Sequence, residues 1–215
     1  MDTVIYLVRH GQTEWNLAHR MQGHQDSPLT AAGRLQAEKL HERLIKVDFT
    51  KVYASTSPRA ITTAEIISGK KRERIGQLDG LREINMGLWE GRQVGDIQNE
   101  YAVEYDNFFS QPHIYLPTAG GETYIKLRDR AVSAVEVILS EADAAQSGAE
   151  RGRGSHILVV THRMTLRTLM NHYAGNDLEG MGGTPDIPPA SLSAIAFRDG
   201  RARVELYGDI SHYTD

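Results

Sequence analysis

Arg9-His10-Gly11 closes the apolar run Val4-Ile5-Tyr6-Leu7-Val8, and these three residue types suit phosphoryl chemistry. An arginine offers a forked donor that matches phosphate oxygens two at a time, and the neighbouring imidazole can act as a nucleophile. The glycine lets a bound group approach the backbone closely. The run before them is largely β-branched or aromatic and reads as a buried parallel strand. The three residues then fall at the carboxyl edge of a sheet, where open α/β folds keep their ligand crevice. The continuation RHGQTEWN reads as a loop opening into a helix.

Phosphoryl transfer also needs positive charge on the non-bridging oxygens and a proton for the leaving group. Further segments carry suitable residues. Arg59 sits in Ser57-Pro58-Arg59-Ala60, followed by Thr63-Ala64, where a helix N-terminus adds partial positive charge. Glu83 stands in Leu81-Arg82-Glu83-Ile84-Asn85-Met86-Gly87-Leu88-Trp89-Glu90-Gly91, and His162 ends the apolar run Val159-Val160-Thr161. In chain order, V-R-H-G-x-T-x-x-N, D-x-P-L-T, S-P-R-A-x-x-T-A, the Glu83 segment, G-G-E-T and V-T-H resemble the histidine phosphatase superfamily, also called phosphoglycerate mutase-like. The resemblance covers nearly the whole chain.

That resemblance implies a phosphohistidine on His10, with Arg9, Arg59 and His162 against the transferring group. Asn16, Gln22 and Gly23 would line the phosphate pocket. Glu83 would protonate the leaving alcohol and then activate water, which requires its pKa to be raised by burial or by a neighbouring negative charge such as bound phosphate. Glu90 is the rival carboxylate and is expected to cap or pair locally. Glu122, in G-G-E-T, is expected either to orient Arg9 or another pocket group, or to cap the long helix that follows. One departure stands out: Arg163 occupies a position where the family usually has Gly. Its backbone N–H is retained, and its side chain either lies at the mouth of the site, favouring substrates with a second negative charge, or turns to solvent.

Mutases of the family carry an E-R-x-Y-G run and a long insertion before G-G-E. Here E-I-N-M-G-L-W-E-G takes its place, and only 28 residues separate Gly91 from Gly120. Both features imply hydrolysis of a small phosphorylated metabolite, as in the bacterial broad-specificity phosphatases. A phosphoglycerate mutase is the alternative within enzymes. A non-catalytic protein that binds phosphorylated ligands is the alternative of another class, disfavoured because all five principal residues are present.

The elements that must position these residues follow from periodicity and punctuation. Thr30 caps a predicted helix from about Ala31 to Lys46, with Ala37, Leu40 and Leu44 on one stripe. Lys51 to Ala54 reads as a strand. A helix then starts at Ser57-Pro58, capped by the hydroxyl, and ends at Gly69. Arg82 to Gly95 reads as loop, Asp96 to Phe109 as weak helix, and Thr123 to Ala145 as the longest helix. Tyr101, Tyr105, Phe108 and Phe109 either form an apolar lid over the leaving group or pack a small helical subdomain. Gln146 to Gly154 reads as a polar loop, His156 to Thr161 as a strand, and a helix follows from about Thr165. Gly175 to Pro189 is a long loop, and Asp199-Gly200 joins Ser191–Phe197 and Arg203–Tyr207 in a hairpin. The expected fold is α/β: a three-layer α/β/α sandwich with a mostly parallel central sheet, one domain over 1–215, and a small helical insertion at about 92–118 over the active site.

Composition narrows the chemistry. A net charge of −4 offers no bulk field for nucleic acid or an anionic membrane. No signal peptide or membrane span is legible, so a cytoplasmic location is expected. The absence of cysteine excludes disulfides, thiolate metal sites and a cysteine nucleophile. No D-x-D pair, P-loop or H-E-x-x-H occurs, so neither metal nor cofactor is expected. The physiological substrate is not readable, and monomer and homodimer both stay open.

Overall fold

The computed structural model describes residues 2–146 and 154–214. Its centre is a six-stranded sheet in the order β3-β2-β4-β1-β5-β6. The strands are β1 (Thr3–Arg9), β2 (Lys51–Ser55), β3 (Gly76–Leu78), β4 (Ser155–Thr161), β5 (Leu192–Arg198) and β6 (Arg201–Asp209). β3, β2, β4 and β1 pair in parallel, and β5 runs antiparallel to both β1 and β6. Among the described residues there are seven α-helices: α1 (Glu14–Leu17), α2 (Ala31–Leu44), α3 (Pro58–Ser68), α4 (Val94–Glu100), α5 (Ala102–Ser110), α6 (Tyr124–Gln146) and α7 (Arg163–Tyr173).

The apolar strands explain the layering. Alternate residues of β1 face opposite sides, and both sides are covered, so the run is apolar throughout. Ile5 and Leu7 pack with Ile157, Val159 and the stripes of α6 and α7. Val8 packs with Leu158, Val160 and the stripes of α2 and α3. A third apolar cluster gathers Met21, Ile84, Met86, Trp89, Ile97, Phe108, Tyr124 and Met164 beside the loops that carry the candidate site. None of the described helices is long and apolar enough to cross a membrane.

Several boundaries differ from expectation for local reasons. α2 stops at Leu44 rather than Lys46, while Thr30 caps it as expected, accepting from Gly33 N at 2.9 Å. Ser57 is the N-cap of α3 but makes no side-chain cap bond, because its hydroxyl faces Ser55 Oγ at 3.3 Å. The weak helix of 96–109 is two helices, α4 and α5, broken at Tyr101, whose φ of −127° and ψ of 43° are not helical. α7 begins at Arg163, directly after β4, rather than at Thr165. β3 escapes sequence reading because Gly76-Gln77-Leu78 is a three-residue edge strand with no apolar run. The predicted 146–154 loop falls on 147–153, outside the described residues.

Candidate active site

β1 and β4 are neighbours with Arg9 opposite Thr161, and the ladder extends one step further through His10 N donating to Thr161 O at 3.0 Å. His10 and His162 therefore leave the sheet side by side, their ring centroids 5.2 Å apart. Residues 152 positions apart in sequence are brought together by strand order alone. Gly11 has a different task from the one its position suggested. A Cβ there would lie 2.4 Å from Gly33 O, so the glycine admits the N-terminal turn of α2 rather than a ligand.

His10 is buried, and its Nδ1 lies 2.8 Å from Gly11 O. A carbonyl only accepts, so Nδ1 carries the hydrogen and Nε2 keeps its lone pair. Burial lowers the pKa of His10 well below its ordinary value, and the Arg59 and Arg9 cations lower it further. His162 is fully buried, with Nε2 2.8 Å from Ser55 Oγ and no partner at Nδ1. Its pKa is also depressed well below normal, first by burial and then by Arg59 and His10.

The arginines are anchored by carbonyls and one carboxylate. Arg9 donates to Ile187 O at 2.6 Å. Burial lowers its pKa to about 10, with Arg163 adding to the shift, so it stays cationic at neutral pH. Arg59 donates to Gln25 O, Asp26 Oδ1 and Gly23 O at 2.7–2.9 Å, which ties α3 to the loop after α1. Nε of both arginines is buried without a partner, as is His162 Nδ1. Buried donors are normally satisfied. Two unsatisfied guanidinium donors, with His162 Nδ1 donating in one of its tautomers, lie beside a single nucleophilic imidazole and form a cradle suited to an anion.

Glu83 lines the same cleft from the loop after β3, together with Asn16, Gln22, Gly23, Arg163 and the unexpected Arg20. Its Oε1 accepts from Ile84 N and Thr165 N and its Oε2 from Met164 N, at 3.0–3.1 Å, with Thr165 Oγ1 3.2 Å from Oε1. The first turn of α7 therefore fixes the carboxylate. Glu90 pairs locally, as expected: it accepts from His24, Gln25 and Met86 amides at 2.8–3.1 Å. Asn16 closes a capping box with Thr13. Gln22 binds Thr13 Oγ1 at 3.1 Å and Ser27 Oγ at 2.7 Å, so it shapes the loop as well as lining the cleft. Glu122 neither reaches Arg9 nor caps α6. It pairs with Arg130, at 2.7 and 2.8 Å, because Arg130 projects from the next turns of α6.

Arg163 does not turn to solvent. It lies on the cleft rim, with Nε bound to Asp186 Oδ1 at 2.6 Å and its guanidinium 5.0 Å over the Phe109 ring. Of the four aromatics left open above, Phe108 and Phe109 line the cleft, and Tyr101 and Tyr105 pack around Trp89. Arg20 carried no sequence signal. It reaches the site because its guanidinium is drawn across to Gly91 O at 2.6 Å. Among the described residues, no three His, Asp or Glu side chains gather as a metal site.

The depressed pKa values of His10 and His162 have a consequence for folding. Below about pH 6.5 the unfolded chain takes up protons that the folded protein excludes. Stability should then fall as pH drops from about 6.5, by about 1.4 kcal/mol per pH unit for each group, until the depressed folded value is reached. Urea midpoints at pH 7.5, 6.5 and 5.5 measure it. The double variant His10→Ala/His162→Asn should show a shallower dependence, and an unchanged slope would assign the effect to other groups.

An α/β sandwich with two buried histidines, two buried arginines and a carboxylate at the carboxyl ends of adjacent strands is built for an anionic ligand held against imidazole. The chain belongs to the histidine phosphatase superfamily (branch 1), which it matches over residues 5–210. It is 30% identical to a probable phosphoglycerate mutase GpmB of Proteus mirabilis, over 98% of this chain and 95% of that protein. It is 32% identical to phosphoglycerate mutase-like protein 4 of Arabidopsis thaliana, over 97% and 86%. Among solved structures, YhfR of Bacillus stearothermophilus is similar at 38% identity and a TM-score of 0.87, over 98% of both chains. A putative alpha-ribazole-5'-P phosphatase of Escherichia coli is similar at 27% identity and a TM-score of 0.79, over 97% of both.

Proposed function

We propose that this protein hydrolyses small phosphomonoesters through a phosphohistidine on His10. The observation that carries the reading is the cradle: Arg9 Nε, Arg59 Nε and His162 Nδ1, all buried and unpartnered, beside an imidazole whose Nε2 lone pair is available. Attack by Nε2 forms the N–P bond and breaks the bond to the ester oxygen. Arg9, Arg59 and His162 take up charge on the non-bridging oxygens, and Glu83 gives its proton to the departing alkoxide. Glu83 then takes a proton from water as that water attacks phosphorus, which releases phosphate and restores both side chains. Asn16, Gln22 and Gly23 complete the phosphate end. Similarity to an alpha-ribazole-5'-P phosphatase supports hydrolysis.

Similarity to probable phosphoglycerate mutases favours a second reading, in which a phosphoglycerate hydroxyl rather than water accepts the phosphoryl group. A panel of phosphomonoesters assayed for phosphate release in EDTA, beside a mutase assay with 3-phosphoglycerate, decides between them. Phosphate release across the panel without interconversion of phosphoglycerates is the expected result, and interconversion faster than release would establish the mutase.

Arg163 should confer a modest preference for a second negative charge, because Asp186 occupies part of its guanidinium. One charge-assisted contact at the lower end, about 1.5 kcal/mol, is roughly tenfold in kcat/KM. Arg163→Met should lower the ratio of 3-phosphoglycerate to glycerol phosphate hydrolysis by about that factor. An unchanged ratio would leave Arg163 as a strut between α7, Asp186 and Phe109.

A further inference from the structure

Four consecutive carbonyls in the loop that presents Glu83 are each held by a side chain. Thr161 Oγ1 donates to Leu81 O and Thr165 Oγ1 to Arg82 O, both at 2.7 Å. A single guanidinium, Arg130, covers the others. It donates to Gly80 O at 2.9 Å, Arg82 O at 2.8 Å and Glu83 O at 2.8 Å. Its remaining face is fixed by the forked pair with Glu122, whose Oε2 also accepts from Asn85 N at 3.2 Å. Arg130 thus holds Glu83 and the backbone before it, while Glu122 accepts from Asn85 on the other side in sequence.

We propose that Arg130, held by Glu122, is the positioning residue for proton donation by Glu83; this rests on the hydrolytic reading above. Arg130 does not touch the cleft, so it acts through the backbone it clamps. The geometry suits the task. Glu83 must reach the ester oxygen while its carboxylate is bound to the first turn of α7. The carbonyl of the same residue is pulled toward α6 by Arg130 and toward the loop after α1 by His24 Nε2 at 3.0 Å. Three elements therefore set one residue, and a planar fork holds three carbonyls where a lysine, with a single ammonium, reaches fewer. The field of Arg130 also extends to the buried ring of His162. A simpler view is that Arg130 only ties α6 to the sheet. The two views differ in what its loss does to chemistry, because a merely structural tie would weaken turnover of every substrate alike.

The test is single-turnover phosphorylation of the intact protein with glycerol phosphate and with p-nitrophenyl phosphate. Wild type is compared with Arg130→Met, Arg130→Lys, Glu122→Gln, Glu83→Gln and the double variant Arg130→Met/Glu83→Gln. Arg130→Met should lose about tenfold to a hundredfold on glycerol phosphate and no more than about threefold on the aryl ester, whose leaving group needs little proton assistance. Arg130→Lys and Glu122→Gln should show the same bias at smaller size, and they serve if Arg130→Met does not fold. On glycerol phosphate the double variant should be no slower than Glu83→Gln alone, since no acid then remains to be placed. Equal losses on both esters, or full additivity with Glu83→Gln, overturns the positioning role while the hydrolytic reading stands. Absence of phosphate release by wild type from both esters removes the reading and the proposal together.

Discussion

Replacing His10 with alanine should abolish turnover, by a factor on the order of 10⁴ or more, as removal of a nucleophile from a coupled constellation does. The argument rests on tautomer and environment. Gly11 O takes the Nδ1 hydrogen, and burial between Arg59 and Arg9 keeps the ring neutral, so the attacking lone pair persists well into the acidic range. Brief exposure to substrate followed by phosphopeptide mapping should place an acid-labile phosphoryl group on His10 in wild type and nowhere in the variant. Retention of full activity without His10 would end the phosphohistidine mechanism. A second check follows from the same pKa: kcat/KM should show no loss near pH 6.5 from protonation of this imidazole.

Glu83→Gln should cost about 10²–10³ in phosphorylation rate on an alkyl phosphate and less than about tenfold on p-nitrophenyl phosphate. The comparison between esters matters because glutamine is not a silent replacement here. Both carboxylate oxygens accept from α7 amides, so an NH₂ group must face Met164 N or Thr165 N, and one bond is lost whatever the substrate. That geometric loss is common to both esters, whereas the loss of a proton donor is not. Equal losses on the two esters would move the acid role elsewhere, with Glu90 the first candidate despite its engagement by three amides.

The sequence disclosed those parts of the molecule that are written in short-range pattern. The β1 and β4 runs, the stripe of α2, the Gly69 stop and the Asp199-Gly200 turn are each local, and each stands where its pattern puts it. His10 is marked by the strand it ends, whereas Arg59 and His162 are singled out by motifs that resemble the family's. What is not legible turns on the choice of a partner that no pattern announces. Arg20 enters the cleft near Gly91, 71 residues away, Glu122 pairs with Arg130 two turns along, and Ser57 and Ser55 share a hydroxyl contact in place of a helix cap. The break at Tyr101 lies within a segment whose helical pattern gave no stop signal, so two helices read as one. Gly11 answers to a residue far from it in sequence: its neighbour is Gly33, and nothing near Gly11 in the chain says so.

The pairing of Arg9 with Thr161 has a consequence for how this site tolerates change. The separation of the two histidines is quantised. A slip of β1 against β4 that kept the same faces inward would have to be two residues long, about 6.6 Å, and a slip of one would turn the apolar faces inside out. No intermediate spacing is open to the sheet, so substitutions within these strands should either leave the 5.2 Å arrangement intact or destroy the fold outright. Gradual tuning belongs to the residues carried on loops and helix starts, Glu83, Arg20 and Arg163 among them. A collection of random variants should accordingly divide: all-or-none phenotypes in the strands, and a continuum of substrate preferences around the rim.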